Sequence, residues 1–290
     1  MYTVDNDNPH LQQLAAGEVE HAIYRVHSID GTSHDIDIEV RGTNDAPVLS
    51  AATASATEDG SAVSGQMSAT DVDHGDTQTY SLGQTAPAGF TLNPDGSWAF
   101  DPTDAAYQHL AAGATQQVTI PVTVTDKSGA TDTQNLTITV TGTNDGPAVS
   151  GPVTLPGGTE DTAVQITAGQ LLAHASDIDT GDQLSVTGLS ASHGTITGDA
   201  AHGFTFTPDT NYNGPVQLNY SVTDGHGGTV AQTATMTLGA TPDAAVITDA
   251  MTGFVKEDEH VLTYGGGGQQ THELTATGLL SIVDPDAGAD

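Results

Sequence analysis

Cysteine is absent from this 290-residue chain, so no disulfide braces it and no thiolate chemistry is open to it. Basic residues are nearly absent too: Lys and Arg number 4 against 37 Asp and Glu, for a net charge of −33. Nucleic acid and anionic membranes both require basic patches, which excludes them as partners. Aromatics are few, with 5 Phe, 7 Tyr and 1 Trp, and spread over several domains they make thin cores. No apolar run approaches the roughly 18 residues of a membrane-spanning helix, so no membrane insertion is expected. The first residues carry neither a basic n-region nor an apolar h-region, so no signal peptide is expected there. A thin-cored protein without disulfides is a candidate for a metal staple.

What the chain has in excess is Asp, and the Asp residues recur. Asp71-Val72-Asp73-His74-Gly75-Asp76 returns as Asp177-Ile178-Asp179-Thr180-Gly181-Asp182 and, in part, as Asp284-Pro285-Asp286-Ala287-Gly288-Ala289-Asp290. These turns, and linkers beginning at Gly42, Gly142 and Gly239, are spaced by roughly 100 residues, which marks a tandem repeat. In extended backbone, residues i and i+2 point the same way, so each Asp-x-Asp presents two carboxylates side by side. At about 4 Å their repulsion is roughly 4 kcal/mol near a protein surface, which calls for a hard cation between them. Ca²⁺ is the expected ion. It takes about six to eight oxygens, so linker side chains, carbonyls and a Glu would have to complete the shell.

Around the turns the chain reads as strands. High charge with low hydrophobicity can also mean disorder, but clear period-2 alternation argues against it. Residues 1–47 read as the back half of a repeat, with Tyr24 and Val26 alternating before an Asp30-Gly31 turn. Ile36, Ile38 and Val40 then share one face, ahead of the linker Gly42-Thr43-Asn44-Asp45-Ala46-Pro47. Residues 48–147 form a complete unit: Thr57-Glu58-Asp59, the Asp71 turn, Tyr80 and Leu82 on one face, and an Asn93–Gly96 hairpin flanked by Trp98 and Phe100. Long alternating strands follow on either side of an Asp126–Gly129 turn, then the linker Gly142–Pro147. Residues 148–245 repeat the plan with Thr159-Glu160-Asp161, Phe204, Phe206 and an Asp224-Gly225 turn. Residues 246–290 begin another unit with Lys256-Glu257-Asp258. Because the repeats are out of phase with both ends, the chain is expected to be a segment of a longer one.

Other chemistries fail on spacing. Position 12 counted from Asp71 is Leu82 and from Asp177 is Gly188, where an EF-hand requires Glu. His272-Glu273 lacks the second His of a zincin, and Gly265–Gly268 runs into Gln269-Gln270 rather than Lys-Ser/Thr. No G-x-S-x-G elbow occurs, and the 12 His are scattered, so the chain is read as non-enzymatic. An isolated pair such as Asp95-Gly96 is simply good turn chemistry.

The run Ser68–Asp76 with Tyr80-Ser81-Leu82, the upstream Glu58, the Asp126-x-x-Gly129 turn and the Asn-Asp-x-Pro linker resembles the cadherin repeat. Leu14-Ala15-Ala16-Gly17, Leu110-Ala111-Ala112-Gly113 and Asp95-Gly96-Ser97-Trp98 are similar to the VCBS-type repeat of large RTX-type bacterial surface adhesins. Residues 148–245 resemble a bacterial cadherin-like repeat through Leu171-Leu172 and Pro208-Asp209-x-Asn211-Tyr212-x-Gly214. The resemblance implies an all-β protein of tandem Greek-key β-sandwiches arranged end to end as an elongated rod, with Ca²⁺ where repeats meet. Carried over by position, a first metal set comprises Asn44, Asp45, Glu58, Asp71, Asp73 and Asp126. A second comprises Asn144, Asp145, Glu160, Asp177, Asp179 and Asp224. The Asp-Arg-Glu motif of cadherins is missing, and Leu-Ala-Ala-Gly lies in that region, which implies fewer ions per junction. At the third junction Pro242 replaces Asn. The implied role is a calcium-rigidified extender of a secreted adhesin at the bacterial surface, as in biofilms, partnered by neighbouring repeats of the same chain. A surface glycan or protein ligand would then be bound through other domains. The alternative is that one sandwich, through the loops around His193–His202, itself binds carbohydrate or protein.

Overall fold

The computed structural model describes residues 8–242 together with the short stretches 246–247 and 282–283. The third turn at Asp284 and the Lys256-Glu257-Asp258 segment lie outside the described residues. Residues 8–12 open with a single helical turn, α1 (Pro9–Gln12), capped by the Asn8 side chain. Then comes a two-stranded hairpin, β1 (Val19–His27) and β2 (Ser33–Arg41), in the register Ala22↔Ile38 and Tyr24↔Ile36. The alternation of residues 1–47 is thus a paired hairpin, yet Tyr24 remains 49% exposed.

The first sandwich is built from β3 (Val48–Leu49), β4 (Ala52–Thr57), β5 (Val63–Gln66), β6 (Ala69–Thr70), β7 (Thr79–Leu82), β8 (Phe90–Leu92), β9 (Ser97–Phe100), β10 (Thr115–Thr125) and β11 (Thr131–Thr141). One sheet has the order β4-β11-β10-β7, the other β5-β9-β8, and β3 pairs with β6. Strand alternation sets the core: Val118, Ile120, Val122 and Val124 point inward, with Thr119, Pro121 and Thr123 between them on the other face. Facing residues Leu136, Ile138 and Val140, with Phe100, are fully buried. Each such side chain contributes about 1.5–3 kcal/mol by leaving water. Phe90 stacks on Trp98 at 6.2 Å and Phe100 meets Tyr107 at 5.1 Å. The Asn93–Gly96 hairpin forms as the sequence predicts, with Asn93 N–H donating to the Ser97 carbonyl at 2.8 Å.

One pairing decides which acidic residues meet. β4 runs parallel to β11, from Leu136↔Ala52 to Thr141↔Thr57. Both strands therefore end together, and the chain beyond β4 lies beside the linker beyond β11.

The second sandwich repeats this with β12 (Ala148–Val149), β13 (Val153–Thr154), β14 (Gly158–Thr159), β15 (Val164–Ile166), the helical turn α2 (Ala168–Leu171), β16 (Ala175–Ser176), β17 (Ser185–Ala191), β18 (Gly194–Asp199), β19 (Gly203–Pro208), β20 (Gly214–Thr223) and β21 (Thr229–Gly239). Its sheets are β13-β21-β20-β17, with β14 also on β21, and β15-β19-β18; β12 pairs with β16. Phe206, Leu171, Leu218, Val222 and Ala234 are fully buried at its centre. β22 (Val246–Ile247) pairs with β23 (Ile282–Val283), a third instance of the short pair seen in β3–β6 and β12–β16. The chain is thus all-β, in tandem Greek-key sandwiches. No described helix is long and apolar enough to cross a membrane.

The chain divides into two compact units. Among described residues the first holds 8–147 with the loops 177–183 and 224–228, and the second holds 148–176, 184–223 and 229 onward. Both Asp-x-Asp turns described below therefore lie in the first unit.

Candidate metal centre

The first acidic site gathers the linker after β2, the turn after β6 and the turn between β10 and β11. Asp73 N–H donates to Asp71 Oδ1 at 2.9 Å, closing an Asx-turn. Gly75 follows at φ 73°, a left-handed conformation that glycine adopts without strain. The linker meets this turn through Asp45 N–H, which donates to Asp73 Oδ2 at 3.0 Å. Asn44 Nδ2 donates to Asp126 Oδ2 at 2.7 Å and to the Asp45 carbonyl at 2.8 Å. Carboxylate oxygens of Asp71, Asp76 and Asp126 lie within 4.8 Å of one another.

The second site copies the first. Asp179 N–H donates to Asp177 Oδ1 at 3.0 Å, and Asp145 N–H to Asp179 Oδ2 at 2.9 Å. Asn144 Nδ2 donates to Asp224 Oδ2 and to the Asp145 carbonyl, both at 2.9 Å. Asp177, Asp179 and Asp182 bring their oxygens within 4.8 Å. Thr143 N–H donates to Glu58 Oε2 at 3.0 Å, and Thr143 Oγ1 to Asp59 Oδ2 at 3.2 Å.

The electrostatics of the two sites match at Asp73 and Asp179 and at Asp126 and Asp224. Burial pushes the carboxyl of Asp73 above its ordinary range, and Asp45, Asp71 and Asp76 add to it, against the bond from Asp45 N–H. Glu58 is raised by burial, then by Asp145, Asp59 and Asp179, against the bond from Thr143 N–H. Asp145 and Asp179 are raised for the same reasons, burial first. Asp126 and Asp224 move the other way, held down first by the Asn44 and Asn144 amides and then by backbone N–H groups of their own turns. Among the described residues, seven buried acceptor oxygens at the two sites have no donor: Asp71 Oδ2 and Asp73 Oδ1 at the first site, and Glu58 Oε1, Asn144 Oδ1, Asp145 Oδ2, Asp177 Oδ2 and Asp179 Oδ1 at the second. Leaving such groups bare is costly, and a hard cation is the group that satisfies acceptors without bringing a donor. The residues present fit Ca²⁺.

Two expectations need correction. Glu58 does not join Asn44, Asp45, Asp71, Asp73 and Asp126; it bonds the N–H of Thr143 and so sits at the second site. Glu160 does not join Asn144, Asp145, Asp177, Asp179 and Asp224. Its Oε1 accepts from Thr241 N–H at 2.6 Å and its Oε2 from Asn213 Nδ2 at 3.3 Å. The reason in each case is the parallel pairing that ends at Thr57↔Thr141 and recurs at Thr159↔Gly239. It carries each Glu to the end of its own repeat, away from that repeat's Asp-x-Asp turn.

Sequence reasoning also missed Asp59, Asp76 and Asp182. The signal was available: Asp76 and Asp182 close the same hexapeptide, and Asp59 and Asp161 follow Glu in both repeats. Both of the latter adopt positive φ, 58° and 55°. In the loops considered for ligand binding, His193 stacks on Tyr212 with centroids 3.9 Å apart, and Asp199 accepts from the N–H groups of Ala201 and His202.

Residues 44–142 match the family described as bacterial cadherin-like domain, and residues 143–239 the family described as cadherin-like domain. A comparison with curated proteins found no match. Among solved structures, the chain is similar to mouse cadherin-23 EC22–24 (16% identity, 75% of this chain and 72% of that one, TM-score 0.49). It is also similar to protocadherin gamma B7 extracellular cadherin domains 1–4 (17% identity, 76% and 66%, TM-score 0.42). A third is the human desmocollin-1 ectodomain (16% identity, 80% and 50%, TM-score 0.36). The chain thus spans 66% and 50% of the lengths of the latter two.

Proposed function

We infer a function from one premise, that residues 44–142 of this chain are a bacterial cadherin-like repeat and residues 143–239 a cadherin-like repeat. Repeats of this kind belong to extracellular, adhesion-type proteins. The chain is an extender segment of a secreted bacterial surface adhesin, in which Ca²⁺ stiffens successive repeats so that a ligand-binding tip is held away from the cell. Its catalytic role is nil, and its partners are neighbouring repeats of the same longer chain.

The observation that supports this most directly is the set of buried acceptor oxygens without donors, which recur at matching positions in two consecutive repeats at Asp71 and Asp177 and at Asp73 and Asp179. Asp45, Asp71, Asp73, Asp76, Asp126 and Asn44 would hold an ion at the first site. Glu58, Asp59, Asn144, Asp145, Asp177, Asp179, Asp182 and Asp224 would do so at the second. The ion supplies positive charge where these carboxylates otherwise repel. Linker and turn, already joined through Asp145 N–H and Asp179 Oδ2, then become one rigid piece. Extracellular modules bind Ca²⁺ at about 10⁻⁴–10⁻³ M, so such sites are empty inside a cell and filled outside.

Small-angle scattering of the chain in millimolar Ca²⁺ and in chelator tests the role. An extended particle with Ca²⁺ that becomes more compact or more variable without it supports the reading. A compact globule in both conditions ends it.

A further inference from the structure

The Leu-Ala-Ala-Gly loops are the one repeated motif to which the calcium reading gives no task. They occupy the same position at both sites. Thr180 N–H, in the second turn, donates to the carbonyl of His109 at 3.0 Å. His74 N–H, in the first turn, donates to the carbonyl of Gln13 at 2.9 Å. In each case the donor directly follows the second Asp of Asp-x-Asp, and the acceptor directly precedes the Leu of Leu-Ala-Ala-Gly.

The other side of each loop clasps the linker. Gly113 N–H donates to the Gly142 carbonyl at 3.0 Å, and Gly142 N–H to the Ala114 carbonyl at 2.8 Å. Gly17 and Gly42 form the matching pair at 3.3 Å, with Gly42 N–H returning to Glu18 at 2.9 Å. The approach is too close for any side chain. A Cβ on Gly142 would lie 2.7 Å from the Leu110 carbonyl carbon, and one on Gly42 would lie 2.6 Å from that of Leu14. The second loop is fixed from below, because Leu110 is buried and the Tyr107 hydroxyl donates to the Ala88 carbonyl at 2.9 Å.

We propose that each Leu-Ala-Ala-Gly loop is the positioning bracket of the acidic site beside it, gripping the linker with one edge and the Asp-x-Asp turn with the other through main-chain hydrogen bonds. Peptide groups carry no charge, so this grip does not depend on a cation. It keeps the linker residues Asn144 and Asp145 beside Asp177 and Asp179 in the metal-free chain, against their mutual repulsion. The ion then meets ligands already in place, which lowers the ordering cost of binding. Because only main-chain atoms take part, Gln13 and His109 serve equally, as do His74 and Thr180. The bracket's effect on affinity rests on the calcium reading; the bracket itself does not.

The test uses the full chain. In chelator, hydrogen exchange resolved amide by amide should show the N–H groups of Thr180 and His74 protected. Gly142→Ala should remove protection at Thr180 while His74 stays protected, and weaken Ca²⁺ at the second site about 10-fold to 100-fold by calorimetric titration, with the first site unchanged. His109→Ala should change neither, since its carbonyl remains. Gly42→Ala should reproduce the effect at the first site. Exchange of Thr180 in the unaltered chain at the rate of a free amide overturns the bracket, whatever becomes of the variants. Unchanged Ca²⁺ affinity in a Gly142→Ala chain that has lost Thr180 protection overturns the bracket's positioning role. Protection of Thr180 in a chain that binds no Ca²⁺ sinks the calcium reading and still supports the bracket.

Discussion

The N–H of Thr143 is bonded to the carboxylate of Glu58 at 3.0 Å, across 85 residues of chain. The bond ties the linker that follows the first sandwich to the end of its strand β4. It also leaves Glu58 Oε1 buried and without a donor, beside Asp145 and Asp179.

Glu58→Gln should therefore weaken Ca²⁺ at the second site by about 10-fold or more, since ligand charge sets affinity in such sites. In chelator the same change should not destabilise the chain at neutral pH, because it removes a charge that burial and three acidic neighbours disfavour. Titration in an Asp71→Ala, Asp73→Ala background isolates the second site. A loss confined to the first site in the otherwise unaltered chain would show that Glu58 has been placed wrongly.

Removing Ca²⁺ should lower the melting temperature. A site with a dissociation constant of about 10⁻⁴ M, held at about 100 times that concentration of ion, gains about 2.7 kcal/mol. For repeats of this size that corresponds to roughly 10–20 °C. Calorimetry with and without chelator reads it directly. Mg²⁺ should not replace Ca²⁺, because it demands near-octahedral geometry and gives up water reluctantly.

Acid should act oppositely on the two forms. In the metal-free chain Glu58, Asp73, Asp145 and Asp179 have raised pKa values, so the stability they contribute is complete below their unfolded values and is lost as pH rises through the folded ones. Lowering pH from neutral to about pH 5 should thus raise the melting temperature in chelator. Below the ordinary carboxylate range the gain should reverse. There Asp126 and Asp224, whose values are lowered, take up protons and lose the stability they contribute above it. With Ca²⁺ bound, acidification should only destabilise, because protons compete with the ion for the same oxygens. Melting curves across pH in the two conditions check the signs.

Leu136→Ala should cost about 2–5 kcal/mol in the first sandwich, as a buried cavity does. Leu136 is fully buried and is opposed by Ile120 in the register of β10 and β11. Ca²⁺ affinity at the second site should change little where the protein remains folded. Denaturant unfolding followed by Trp98 fluorescence, paired with titration, separates the two effects.

Much of this was legible in the chain itself. Alternation such as Val118, Ile120, Val122 and Val124 depends only on the two-residue period of a strand, so it marks the core face before any fold is known. The Asp-x-Asp turns and Asn-Asp linkers are local and repeated, and the structure brings the residues they supply together at each acidic site. Glu58 and Glu160 were legible as residues but not as members of a set. Their assignment depends on β4 lying parallel to β11, and β14 to β21, pairings that join segments some 80 residues apart. The bracket was hidden for a different reason. It is made of carbonyls and N–H groups, which every residue carries, so only the chain's path in space shows that His109 and Thr180 meet. Side-chain chemistry and its period were written in the sequence; which main-chain and carboxylate groups face one another was decided by strand pairing and by the path of the loops between strands.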